Sequence, residues 1–126
     1  MKTKYSFFPI VFFLYMALVF ALAFYPRLAV PQVPEGISAD KIAHFLQYFI
    51  FSYLFFKMRV TQKVRRREIY IELFLIGILV SVFTEEIQGL IPGRAKCWLD
   101  TLANLLGFYS FILCSTFIHR KRKANA

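Results

Sequence analysis

The residues able to do chemistry in this chain come in short, regularly spaced groups. Asp40, Lys41 and His44 are the first, Glu85, Glu86 and Gln88 the second, and Arg94, Lys96, Asp100 and Asn104 the third. Positions three or four apart share one face of a helix. Asp40 with His44, Glu85 with Gln88, and Asp100 with Asn104 are therefore three face-sharing pairs wherever their segments are helical. A carboxylate one turn from an imidazole can orient it as a general base, and the planar fork of a guanidinium such as that of Arg94 grips phosphate or carboxylate. Each residue also has a plainer reading. Asp40 can cap a helix, His44 can bond a backbone carbonyl at an interface, Arg94 and Lys96 can anchor to headgroups, and Trp98 can anchor at an interface.

The segments that must position these groups are unusually apolar. Of the 126 residues, 59% are hydrophobic, sixteen are Phe and only 18% are charged, below the quarter or so that a soluble domain carries. Lipid can replace the missing polar surface. Tyr5 to Pro26 holds no charge over 22 residues, Ile42 to Phe56 none over 15, Leu73 to Thr84 none over 12, and Thr101 to Ile118 none over 18. A membrane span needs about 20 apolar residues, so the two middle runs fall short. To cross, they must draw in Asp40 and Lys41 at one helix, and Glu72, Glu85, Glu86 and Gln88 at the other. A charge inside the bilayer costs roughly 2.5–3.5 kcal/mol unless paired or hydrated, which marks such residues as functional candidates. The expected fold is all-α: a polytopic membrane protein built as a four-transmembrane-helix bundle. One domain covers residues 1–126, with helices about 5–26, 40–58, 69–90 and 99–119. A soluble bundle is disfavoured because the first and last helices lack a polar face.

Loop charge sets the orientation. The N-terminus, the loop between the second and third helices, and the C-terminus together carry 12 Lys and Arg, against 4 on the other side: Arg27, Lys41, Arg94 and Lys96. The positive-inside rule puts both termini in the cytoplasm and the distinctive polar residues at the outer face. Glu72 is expected to pair with the arginines of the cytoplasmic loop. The net charge of +9 sits beside apolar spans, so membrane lipids rather than nucleic acid are the expected partners. The first helix exceeds the 7–15 apolar residues usual in a signal peptide, despite Ala21-Leu22-Ala23, and is read as a retained span. Ser38 or Asp40 is expected to cap the second helix, and Pro92-Gly93 to turn the chain after the third. Cys97 and Cys114 are too few for a disulfide framework and read as packing residues. Gly77, Gly107 and Ser110 are candidates for close helix packing or a homo-oligomer contact. Neither a metal site nor a cofactor is expected.

With Asp40-Lys41-x-x-His44, Glu85-x-x-Gln88, Pro92-Gly93-Arg94 and Asp100-x-x-x-Asn104-x-x-Gly107 in this order, the chain resembles the VanZ-like family. The departure is Arg94-Ala95-Lys96-Cys97-Trp98, where smaller and less basic residues are usual for that family. The resemblance implies a multi-pass protein of the bacterial cytoplasmic (inner) membrane, acting in the cell envelope. Resistance to the glycopeptide teicoplanin, or binding of a lipid-linked cell-wall precursor, is the role it implies. Asp40, Lys41, His44, Glu85, Gln88, Arg94, Asp100 and Asn104 are the expected ligand-binding set. The alternative is an intramembrane hydrolase or transferase, with His44 as general base, Asp40 orienting it, and Glu85 as partner acid or metal ligand; no serine or cysteine nucleophile is evident for it. A small proton-coupled exporter is disfavoured, because the acids lie near helix ends rather than at the midplane.

Overall fold

A computed structural model describes residues 7–25, 39–93 and 96–125 of the chain. It is all-α: α1 Phe8–Phe24, α2 Ala39–Thr61, α3 Arg66–Gln88 and α4 Trp98–Ala124, with no strand among the described residues. Lys2, Lys4, Arg27, Ser38 and Arg94 lie outside the described residues. The four expected helices are present, with shifted ends. α2 and α4 run further at their basic termini, through Thr61 and Ala124, because Lys and Arg are good helix formers and favour the negative C-terminal dipole. α3 begins at Arg66 and stops at Gln88, where Gly89 N–H bonds back to the Glu85 carbonyl. Gly93 then takes φ 81°, the left-handed conformation a glycine adopts without strain, as the Pro92-Gly93 turn requires. α2 starts at Ala39, so Asp40 is a first-turn residue rather than the cap, placed where a negative charge suits the helix dipole.

α2 and α4 form the most extensive helix pair, with α1 packed on α2 and α3 packed chiefly on α4. Their interior is aromatic. Phe51 meets Phe12 of α1 at 5.3 Å and Phe108 of α4 at 5.2 Å between ring centroids, both edge to face, and Phe56 meets Phe111 in the same way at 5.6 Å. Such pairs prefer this geometry because positive ring edges meet negative faces. One glycine sets how closely the central pair can approach. A Cβ on Gly107 would stand 2.4 Å from the Phe45 carbonyl oxygen and 3.1 Å from the Phe49 nitrogen, both backbone atoms of α2. Gly77 of α3 faces the Phe108 ring. Both glycines are thus used inside the bundle.

The outer surface differs from that of a water-soluble bundle. Along α3, Ile71, Phe74, Leu75, Ile78, Leu79, Val82 and Phe83 are exposed, while Ser81, Thr84, Glu85 and Gln88 are buried. The inward face thus carries these polar side chains together with Ile69 and Leu73, while the outward face between Ile71 and Phe83 is apolar where a water-facing amphipathic helix is polar. α4 is long and apolar enough to cross a membrane by length and composition, and α1 is apolar but 17 residues long. α2 and α3, each 23 residues, do not meet that standard because polar and charged side chains fall within them. At the basic end, Arg59 of α2 grips Glu72 of α3 with both arms of its fork, Nε donating to Oε2 at 2.8 Å and Nη2 to Oε1 at 2.5 Å. The expected pairing of Glu72 is present, its partner lying in the last turn of α2.

Candidate functional site

The site lies where α2 begins, α3 ends and α4 begins. α2 puts Asp40, Lys41 and His44 in its first two turns, and α4 puts Asp100 in its first turn and Asn104 one turn later. The close α2–α4 approach at Gly107 brings these turns together. His44 and Asn104, sixty residues apart, are joined at 2.9 Å between Nδ1 and Oδ1, and both are buried. The other ring nitrogen, Nε2, lies 3.9 Å from Asp100 Oδ2, too far for a hydrogen bond. Lys41 Nζ stands 3.7 Å from the second oxygen, Oδ1, of the same carboxylate, which is buried with no hydrogen-bond partner among the described residues. Asp40 completes a cluster in which donor atoms of Asp40, His44 and Asp100 all lie within 4.8 Å of one another.

A cavity of about 300 Å³ adjoins this cluster, lined by Asp40, His44 and Gln47 of α2, Gln88 of α3, and Leu22 and Ala23 of α1. On the other side of Lys41, a separate groove of about 330 Å³ runs between α2 and α4. It is lined by Ile42, Phe45, Leu99, Leu102, Ala103 and Leu106, and Lys41 is the one charged residue lining it among the described residues. Lys41 therefore stands between an apolar groove and an acidic cluster.

The structure thus brings together Asp40, Lys41, His44, Asp100 and Asn104, with Gln88 on the adjoining cavity. Glu85 has a different place. Its Oε1 accepts the backbone N–H of Cys97, the residue immediately before α4, which satisfies a donor at a helix start. Glu85 is buried, and its Oε2 has no hydrogen-bond partner among the described residues. It ties α3 to the start of α4 and so positions Asp100, and it is not one of the three clustered ligand residues. Glu86 pairs with Lys96 at the exposed rim. Trp98 is exposed, and so is Cys114, which therefore is not an interior packing residue.

Sequence reasoning missed the polar line beneath the site. The Tyr48 hydroxyl donates to Thr84 Oγ1 at 3.0 Å, and Ser52 and Ser81 are fully buried nearby in the chain. The signal was present: His44, Tyr48 and Ser52 recur every four residues in α2, as do Ser81, Glu85 and, by three from Glu85, Gln88 in α3. Each set is one polar stripe on an apolar helix.

No family model and no solved structure matches the chain. An uncharacterized protein of the fission yeast Schizosaccharomyces pombe is 28% identical over 92 residues, 73% of this chain and 55% of that protein. The chain spans about half the length of that relative. It is similar to a protein of undetermined role.

Proposed function

We propose that the chain is a VanZ-like, four-span membrane protein that holds a lipid bearing an anionic headgroup in the outer leaflet. The observation that carries this reading is the position of Lys41. An acyl chain fits the apolar groove of Ile42, Phe45, Leu102 and Leu106, and the headgroup then meets the Lys41 ammonium at the groove's end. Asp100, 3.7 Å away, holds that ammonium in place until a phosphate or carboxylate competes for it. Arg94, by its sequence position beside α4, is a second cation for the same headgroup.

Membrane residence is supported by the outward apolar stripe of α3 and by exposed Phe13, Leu14 and Leu18 of α1 and Leu113 and Phe117 of α4. α2 and α3 are each about 34 Å long at 1.5 Å per residue, enough to cross a core of about 30 Å. His44 and Ser52 of α2, and Ser81, Thr84, Glu85 and Gln88 of α3, are buried in the bundle interior, where such groups are tolerated. Basic residues at the α2–α3 turn and in the last turns of α4 support a cytoplasmic position for that end by the positive-inside rule. The cell-envelope role, and teicoplanin resistance as its form, come from the resemblance; the yeast relative is eukaryotic, so a bacterial inner membrane rests on the resemblance alone.

The test is native mass spectrometry of the detergent-purified chain with phosphatidylglycerol and phosphatidylcholine of matched acyl chains. Retention of the anionic lipid over the zwitterionic one, and its loss in Lys41→Ala, is the expected result. Equal retention of both lipids would overturn the reading. A second reading, an intramembrane hydrolase or transferase, is favoured by the Asn104 contact that orients the His44 ring beside the cavity. Turnover of a lipid-linked phosphate that disappears in His44→Ala would establish it.

A further inference from the structure

We infer that Asp40, His44 and Asp100 form a binding site for a divalent transition-metal ion of the zinc class. The argument starts at the His44 ring. Its Nδ1 faces Asn104 Oδ1 at 2.9 Å, and an amide oxygen only accepts, so Nδ1 donates in this contact, and the neutral form of such a ring keeps its lone pair on Nε2. Nε2 is then a lone-pair donor, and it faces another lone-pair donor, Asp100 Oδ2, at 3.9 Å. No hydrogen bond bridges that gap. An ion between the two atoms does, and histidines that ligate metals characteristically donate their other N–H to a carbonyl or carboxylate, as His44 does here.

The rest of the cluster fits the same occupant. Asp100 is 8% exposed, and its other oxygen lacks a hydrogen-bond partner among the described residues. Donor atoms of all three residues already lie within 4.8 Å of one another. Zinc sits about 2.0–2.2 Å from imidazole nitrogen and carboxylate oxygen, which sets donor atoms about 3.4 Å apart around a tetrahedral ion, so a separation of up to 4.8 Å closes by up to about 1.4 Å as the side chains turn onto it. Two carboxylates and one neutral imidazole carry charge −2, and Lys41, facing Asp100 Oδ1, offsets one unit while leaving Oδ2 to the ion. One imidazole with two carboxylates suits zinc, iron(II) or manganese(II) better than the all-oxygen sites preferred by calcium and magnesium. The cavity beside Asp40 and His44 supplies room for the water or ligand that completes the coordination. The inference does not depend on which lipid occupies the α2–α4 groove, and its failure would leave the lipid reading untouched.

The test uses the full chain in detergent, purified on an affinity tag without histidine and stripped with a chelator. Zinc is titrated against it and bound metal is counted by inductively coupled plasma mass spectrometry; cobalt(II) is added in parallel for its visible d–d absorption. The expected result is one zinc per chain, with cobalt bands that zinc displaces. His44→Ala and Asp100→Asn each abolish saturable binding. Asn104→Ala weakens it roughly 10- to 100-fold, the usual effect of removing a partner of the ligating histidine. His119→Ala, at the far end of α4, leaves binding intact. Circular dichroism and a monodisperse elution profile establish that each variant is folded, and the wild-type titration needs no variant. Absence of saturable wild-type binding would overturn the inference, as would binding that survives both His44→Ala and Asp100→Asn in folded protein.

Discussion

Replacing Gly107 by alanine tests how the site is assembled. The new Cβ would lie 2.4 Å from the Phe45 carbonyl oxygen, whereas real Cβ atoms essentially never come within 3.0 Å of a neighbour. The obstructing atoms are backbone, so no side chain can swing aside, and α2 and α4 must separate by about 0.6 Å or more. Asn104 lies one turn from Gly107, so the same displacement would stretch its 2.9 Å contact with His44 to about 3.5 Å, beyond the roughly 3.2 Å limit of an N–H···O bond. Overpacking costs about 1–3 kcal/mol, and a buried polar group left unsatisfied about 1–3 kcal/mol more. Gly107→Ala should therefore destabilise the bundle by about 2–6 kcal/mol, read by unfolding in mixed micelles with a graded denaturing detergent. Gly77→Ala is the internal comparison. Its Cβ would meet the Phe108 ring at 3.1 Å, a side chain that can shift, and about 1 kcal/mol or less is expected. A Gly107→Ala protein within about 0.5 kcal/mol of wild type, a difference typical of a neutral surface substitution, would refute the reasoning.

Three further outcomes follow from the described contacts. Arg59→Lys removes the two-armed grip on Glu72 while keeping the charge, and a double-mutant cycle with Glu72→Gln should show a coupling of about 1 kcal/mol, lost with the fork. The hydrogen bond from Arg65 lowers the exposed Glu68 carboxyl below its ordinary value of 4.5. Its stabilising contribution is therefore present above that pH and lost as pH falls through the lowered value, so Glu68→Gln should slightly reduce the acid sensitivity of the melting temperature. Tyr48→Phe leaves Thr84 bonded to the Val80 carbonyl at 2.8 Å, so unfolding should report a loss of only about 0.5–1.5 kcal/mol.

The helices were legible in the sequence because apolar runs and their basic flanks mark them directly. Their ends were less so, since Lys and Arg extend α2 and α4 at no cost to the apolar pattern. The pairs Asp40–His44 and Asp100–Asn104 were legible as faces. A shared site was expected from their common depth, but the His44–Asn104 contact across α2 and α4 was not legible, because it depends on the backbone approach that Gly107 permits, and periodicity within one helix carries no information about its neighbour. For the same reason no metal site was expected: Asp100 lies fifty-six residues from His44 in the chain. Glu85 illustrates the converse. Its type and depth suggested chemistry, yet the Cys97 N–H that it accepts makes it a fastening between α3 and α4, and a side chain bonding to backbone leaves no spacing signature.

The central claim is that the polar cluster sits at the outer face of a four-span bundle. Labelling of single cysteines with a membrane-impermeant maleimide, in a chain otherwise lacking Cys97 and Cys114, tests it most directly. Lys96→Cys, at the rim beside α4, should label in intact cells, and Lys63→Cys, in the α2–α3 turn, only after permeabilisation. Labelling of Lys63→Cys in intact cells, or of both positions from the same side, would contradict the account.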